Sequence, residues 1–260
     1  MAARFQGPLF APRPTVVGHR GLGGGVVDNC AENTVGSYLA AVAYGLRWVE
    51  VDVRRSGDDQ LVVHHDPTTP DGKFIIEQPA AAVEGKGVAR LAEILDALPG
   101  AIGVNVDVKT ELEDAVCPPD RRTGALLAPV LARESGRRPL FVSSFDPALL
   151  LELRESVPGT PLGLITWVHF PLRHAVPAAA HLGMQAVCLH SGSLGPNPVE
   201  HGPVHRPVDY SVRIAHEAGL EVLAWCPDPE SALRFADADV DAVCVNDVPG
   251  VLEALTQAHS

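Results

Sequence analysis

Four short stretches hold residue types that could do chemistry together: His19-Arg20-Gly21, Glu32-Asn33-Thr34, Glu50-Val51-Asp52 and His65-Asp66. Each lies at the end of an apolar run or in the segment after one. Apolar runs bury whatever sits at their ends, and unpaired buried charge costs several kcal/mol. Carboxylates, imidazoles and a guanidinium gathered there need a use. Carboxylate oxygens suit a hard divalent cation such as Mg²⁺ or Ca²⁺. Imidazoles titrate near working pH and move protons. A cation to draw charge from phosphoryl oxygens, with an acid/base pair for nucleophile and leaving alkoxide, is what hydrolysis of a phosphodiester requires.

The elements around these residues must bring them together. Apolar β-branched runs alternate with segments of helical spacing along the whole chain. Strands are expected at 15–19, 46–53, 102–109, 140–144, 161–166, 186–189, 221–225 and 242–245, with a further short run at 61–64. Helices are expected at 34–45, 91–98, 124–134, 147–156, 174–182, 208–218, 229–236 and 249–257. Strand–helix alternation builds a parallel sheet, and eight such units in a chain of 260 residues predict a TIM (β/α)8 barrel in a single domain. The barrel is expected over 15–260 after an N-terminal extension, 1–14. A short loop excursion is expected around 66–90, and a second Pro/Gly-rich one at 191–207.

In this fold active sites form at the carboxyl ends of the strands. His19 closes the first strand there. Glu50 and Asp52, two residues apart on the second, point to one side, and Asp107 and Lys109 do the same on the third. Lys109 stands out because the chain has only three lysines against seventeen arginines. The run Gly23-Gly24-Gly25 lacks the helix and spacing of a phosphate-binding loop and reads as flexible loop.

Composition narrows the function. With 46% hydrophobic and 20% charged residues the chain is an ordinary globular protein. A net charge of -12 excludes a general binder of nucleic acid or anionic membranes, which would need a basic face. It leaves room for an anionic small-molecule substrate, because a bound metal reverses the local sign. Five widely spaced cysteines without a CxxC pair exclude a disulfide framework and suit a reducing compartment. No apolar stretch is long enough to span a membrane, and the first residues do not resemble a signal peptide. A cytoplasmic enzyme is expected; a homo-oligomer is compatible with the sequence and not required by it.

The sequence resembles the glycerophosphodiester phosphodiesterase family. The resemblance rests on VGHRG at 17–21, ENT at 32–34, VEVDV at 49–53, LVVHHDPT at 61–68 and VNVDVK at 104–109, followed by SSFDP at 143–147, EVLAW at 221–225 and VDAVCVNDVP at 240–249. It implies that His19 and His65 form the general acid/base pair, since the family has an apolar residue at the position of His64. It implies that Glu50, Asp52 and Asp107 bind a divalent metal, with Asp107 where the family more often carries glutamate. It further implies that Arg20 and Lys109 hold phosphate oxygens and that Glu32 lies near the metal or the glycerol. Trp225, closing the seventh strand, reads either as plain core or as an apolar wall for the glycerol or the leaving group. Several positions depart from the family pattern: 68–72, Asn246-Asp247 at strand 8, and Trp225-Cys226-Pro227-Asp228 after strand 7.

The implied reaction is metal-dependent hydrolysis to glycerol 3-phosphate and an alcohol. Related readings are a barrel phosphodiesterase acting on lysophospholipid or sphingolipid head groups, a metal-dependent isomerase or aldolase, or a non-catalytic binding protein on the same scaffold. Each residue also has a bland alternative. Glu50 and Asp52 could form an exposed edge face, His19 and Arg20 a structural loop pair, and Asp107 and Lys109 a plain ion pair.

Overall fold

Alternation along each strand decides how the chain closes. The computed structural model describes residues 7–168, 170–195 and 206–258. Its eight parallel barrel strands are β1 Thr15–Gly18, β2 Trp48–Arg55, β3 Gly103–Val108, β4 Leu140–Ser144, β5 Leu162–Ile165, β6 Ala186–His190, β7 Glu221–Trp225 and β8 Ala242–Val245. Neighbours in sequence are neighbours in the sheet, and β1 pairs with both β8 and β2 to close the barrel. Helices follow the strands: α1 Val35–Ala43, α2 Leu91–Ala97, α3 Thr123–Glu134, α4 Pro147–Ser156, α5 Leu172–His181, α6 Val208–Glu217, α7 Pro229–Asp237 and α8 Val248–Ala258. The expected TIM (β/α)8 barrel is the observed fold.

Local chemistry starts several of these helices. Thr34 caps α1 by accepting the Ser37 N–H at 3.2 Å. Asp146 and Asp228 cap α4 and α7, each followed by a proline whose missing N–H costs nothing at the first helical position.

One face of each strand packs on the helices. On β2 and β3 these are Val49, Val51, Val53, Val104, Val106 and Val108, all buried in the main core. The opposite face fills the barrel. Trp48, Phe141 and Ile165 form its lower interior with Cys188, Leu223 and Cys244. A Cβ on Gly103 would lie 2.4 Å from the Trp48 ring and one on Gly163 2.3 Å from the Phe141 ring, so these glycines make the space those rings occupy. Above that layer the inward positions turn polar, with Glu50 and Asp52 on β2 and Asn105 and Asp107 on β3.

The chain before β1 closes the barrel floor. Phe10 is fully buried, edge-on to Trp48 and Phe141 at centroid separations of 5.4 and 5.6 Å. The Glu221 carboxylate grips the turn, accepting the N–H groups of Leu9 and Phe10 at 2.5 and 2.9 Å.

Strand β2 runs two residues beyond its expected end because the chain folds straight back on it. Leu61–Val63 pairs antiparallel with Val53–Arg55, and Ala89–Arg90 pairs with that strand in turn. Between them, Ile75, Ala80, Val83 and Val88 pack on Val62 as a small separate core. The excursion is thus a folded unit that fixes where His65 emerges. Of the second expected excursion, Ser191–Leu194 is a short helix and 196–205 lie outside the described residues. Among the described residues no helix is long and apolar enough to cross a membrane.

Candidate active site

Register on neighbouring strands gathers the acids. Asp52 on β2 stands opposite Asp107 on β3, and Glu50 lies one inward position below Asp52. One oxygen from each lies within 4.8 Å of the others, and all three residues are buried. The shorter side chain of Asp107 still reaches the cluster. Among the described residues, Glu50 Oε1 and Asp107 Oδ1 accept no hydrogen bond. Three buried carboxylates, two with unpartnered oxygens, fit a hard cation that takes oxygen ligands.

Cations and amides brace the cluster from the sides. Lys109 Nζ lies 2.9 Å from Asp52 Oδ1 and contacts Asp107 Oδ2 closely. The Arg20 backbone N–H donates to Glu50 Oε2 at 2.9 Å, and the Asn33 side chain donates to Asp52 Oδ2 at 2.9 Å. Burial works against the charge on Asp52, but Lys109, His19 and Arg20 outweigh it and hold the carboxyl below its usual range. Burial pushes Glu50 well up, reinforced by Asp52 and Asp107, and pushes Asp107 up against the pull of Lys109. Burial opposes the charge of Lys109 too, yet the three carboxylates raise its pKa.

The two histidines have different partners. His19 Nδ1 lies 2.5 Å from Asn246 Oδ1, an acceptor only, so Nδ1 carries the proton and Nε2 is the exchanging nitrogen. That Nε2 is 3.9 Å from Glu50 Oε2. Burial lowers the His19 pKa, and Cys226, with its Sγ 3.7 Å from the ring, together with Asp52 carries it above the ordinary value. His65 Nδ1 lies 2.8 Å from Asp66 Oδ1, which likewise leaves Nε2 free. Burial sets the His65 pKa below the ordinary value, ahead of the opposing pull of Asp52. His64 is directed elsewhere, with Nε2 3.2 Å from the Thr68 carbonyl.

Arg20, at φ 55° in the left-handed region, turns its guanidinium onto Glu32, which holds Nη1 through both oxygens at 2.9 and 3.0 Å. Glu32 also accepts the Gly25 N–H. It does not line the central cavity; it anchors Arg20, which does. That cavity, about 560 Å³, brings together His19, Arg20, Glu50, His65, Asp107 and Lys109. Trp225 lines its far side, with its indole N–H buried and without a hydrogen-bond partner among the described residues.

Three further residues support the predicted ones, and none of them is among the site residues expected from the sequence; Asn33 reads there as a possible cap of α1, a place that Thr34 takes. Asn33 ties Asp52 to Tyr38, whose hydroxyl donates to Asn33 Oδ1 at 2.7 Å. Asn246 fixes His19, as above. The Gly23-Gly24 turn packs directly on it: a Cβ on Gly23, at φ 150°, would lie 2.0 Å from the Asn246 carbonyl oxygen. Gly23 and Gly24 are therefore close-packed on Asn246, while Gly25 faces open space. Arg54 donates from Nε and Nη2 to the His65 carbonyl at 3.0 and 2.6 Å and pairs with Glu111 at 2.6 Å. Its signal was its place two residues after Asp52, on the same inward face.

Known proteins carry the same pattern. Residues 19–249 match the model of the Glycerophosphoryl diester phosphodiesterase family. Over 55 residues the chain is 46% identical to Glycerophosphocholine phosphodiesterase of Eremothecium gossypii; that stretch is 20% of this chain and 4% of the much longer relative. It is 25% identical over 229 residues to Probable glycerophosphodiester phosphodiesterase 2 of Mycobacterium tuberculosis, covering 81% of this chain and 80% of the relative. Among solved structures, an Oleispira antarctica phosphodiesterase in complex with the product sn-glycerol-3-phosphate superposes with a TM-score of 0.72 at 24% identity, covering 94% of this chain and 97% of that one. The family match extends over most of the chain and takes in every predicted site residue, so this protein belongs to the glycerophosphoryl diester phosphodiesterase family.

Proposed function

We propose that the protein hydrolyses glycerophosphodiesters to glycerol 3-phosphate and an alcohol, with a divalent cation, Mg²⁺ or Ca²⁺, held by Glu50, Asp52 and Asp107. The observation that carries this reading is a cluster of three buried carboxylates, of which Glu50 and Asp107 line the same cavity as two histidines of fixed tautomer. The product bound in the Oleispira antarctica neighbour is consistent with it. The cation, when bound, supplies charge stabilisation at the phosphoryl oxygens. Arg20 and Lys109 flank the carboxylates and orient the phosphate.

Proton transfer falls to the histidines. His65, neutral near pH 7 and backed by Asp66, takes the proton of the substrate's glycerol 2-hydroxyl at Nε2. The 2-oxygen attacks phosphorus as the bond to the leaving alcohol breaks, and His19 gives that alkoxide its proton from Nε2. A cyclic phosphate results. Water opens it with the roles exchanged: His19 takes a water proton, and His65 returns its proton to the 2-oxygen. The motive for an internal nucleophile is that the side chains that could attack are otherwise engaged: Ser143 donates to Asn105, Ser144 donates to the Val108 carbonyl, and Cys226 Sγ meets His19 at Nδ1, 3.7 Å away, the nitrogen that Asn246 holds, and not at the exchanging Nε2. A diester lacking the 2-hydroxyl is expected to resist cleavage, and hydrolysis at an equal rate refutes the two-step path.

The direct test is a metal-reconstituted assay on glycerophosphocholine, glycerophosphoethanolamine and glycerophosphoglycerol. His19→Ala and Glu50→Ala should each lower kcat/KM by about a hundredfold or more, the low end of an acid–base contribution. Smaller losses overturn the site assignment. A cytoplasmic place of action is in keeping with five free cysteines, two of them buried.

A further inference from the structure

The cavity has two unlike halves. Its charged groups all come from β1 to β3 and the segments after them. The side built from β4 to β8 is uncharged and mainly apolar: Phe145, Ile165, Trp167, Val168, Leu223 and Trp225 line it with three cysteines, and its two serines, Ser143 and Ser144, donate to Asn105 and to the Val108 carbonyl. Among the described residues of that wall there is no carboxylate. Phe145 and Trp167 stack at 4.3 Å with 24° between their planes, and Trp225 meets Phe145 edge-on at 6.2 Å. Trp167 is 66% exposed and Val168 46%, an unusual position for a large apolar pair beside a charged site.

From this geometry we propose that the wall receives an apolar substituent, an alkyl or aryl group on the non-glycerol side of the phosphodiester, and that Phe145 and Trp167 set this preference. The proposal rests on the reading of the cavity as a glycerophosphodiester site. Against these side chains a glycerol moiety would meet, among the described residues, one unpaired donor, the Trp225 indole N–H, and its remaining hydroxyl capacity would go without partners. An aromatic wall could instead hold a quaternary ammonium group, but two features oppose that. Lys109 Nζ already lies 5.9 Å from the Phe145 ring centroid and repels a second cation there. Ile165, Val168 and Leu223 offer no ring face, and no acid faces them from the wall.

Chain length separates the possibilities with leaving-group chemistry held nearly constant. The substrates are the glycerol 3-phosphate esters of ethanol, butanol and octanol, with glycerophosphocholine alongside, and release of glycerol 3-phosphate is read for all four. Each methylene buried in an apolar site contributes about fourfold. The expected result is a rise in kcat/KM on the order of 50-fold from ethyl to octyl as three or more methylenes are buried, with the octyl ester ahead of glycerophosphocholine. In Trp167→Ala, and in Phe145→Leu as a second variant, the octyl-to-ethyl ratio should fall by about tenfold, from the loss of one to two methylene equivalents of contact. Trp167 is largely exposed, so its replacement leaves folding intact. A flat series, a preference for glycerophosphocholine, or a ratio unmoved in both variants overturns the proposal while leaving the glycerophosphodiester reading standing. Failure to release glycerol 3-phosphate from any of the four overturns that reading, and this one with it.

Discussion

At the residue scale the site depends on side chains whose partners are far apart in sequence. His19 gains a defined tautomer from Asn246, 227 positions away. Loss of a group that orients a histidine typically costs ten- to a hundredfold in activity. Asn246→Ala should therefore lower kcat by about 10- to 100-fold with little change in KM. The ¹⁵N resonances of the His19 ring should change from one tautomer to a mixture. A single unchanged tautomer with full kcat would show that Asn246 is not the positioning group. His65 gives a pH signature of known sign. Burial lowers its pKa, so the basic form fills as pH rises through a midpoint below 6.5. The acid limb of kcat/KM, measured at saturating metal, should lie below that value, and a limb above pH 7 contradicts His65 as the base. His19, Glu50, Asp52 and His65 were legible because their types and spacing are unusual. Asn33 and Asn246 were not, because an amide becomes functional only through the neighbour that folding brings to it. Glu32 was visible as a charge, but its partner Arg20 and its place outside the cavity depend on the turn at Gly25.

At the element scale, the alternation of apolar residues fixes both faces of each strand, and for this reason the eight strand–helix units could be read directly. The ends of elements could not. Strand β2 extends to Arg55 because Leu61–Val63 returns to pair with it, a tertiary contact that no local pattern announces. This extension has consequences for the site, since it carries Arg54 up the inward face to hold the His65 carbonyl. The floor is a second case. Phe10 lies in a segment with no periodicity, and its burial against Trp48 and Phe141 is set by the barrel's diameter and by Gly103 and Gly163 opposite those rings. Large-to-small replacement at such a position removes about 3 to 5 kcal/mol. Phe10→Ala should lower stability by about 3 kcal/mol or more and Tm by roughly 10 °C, read by equilibrium denaturation and melting. A loss within about 0.5 kcal/mol, the range of surface changes, would mean the segment does not seal the barrel.

At the scale of the whole molecule, the proposed function asks a chain of net charge -12 to take an anionic substrate by local reversal of sign. Arg20 and Lys109 stand beside the acids, and a divalent cation, when bound, would add to them. The barrel divides its interior: aromatic and aliphatic below, charged at the mouth on β1 to β3, uncharged and mainly apolar in the cavity wall on β4 to β8. The measurement closest to the central claim is ³¹P NMR of glycerophosphocholine with the purified full chain, supplied with Mg²⁺ or Ca²⁺ and then stripped with chelator. A glycerol 3-phosphate resonance should grow, stop on chelation, resume on metal return, and be absent in Glu50→Ala. Turnover that continues undiminished without metal, or in Glu50→Ala, would contradict that claim.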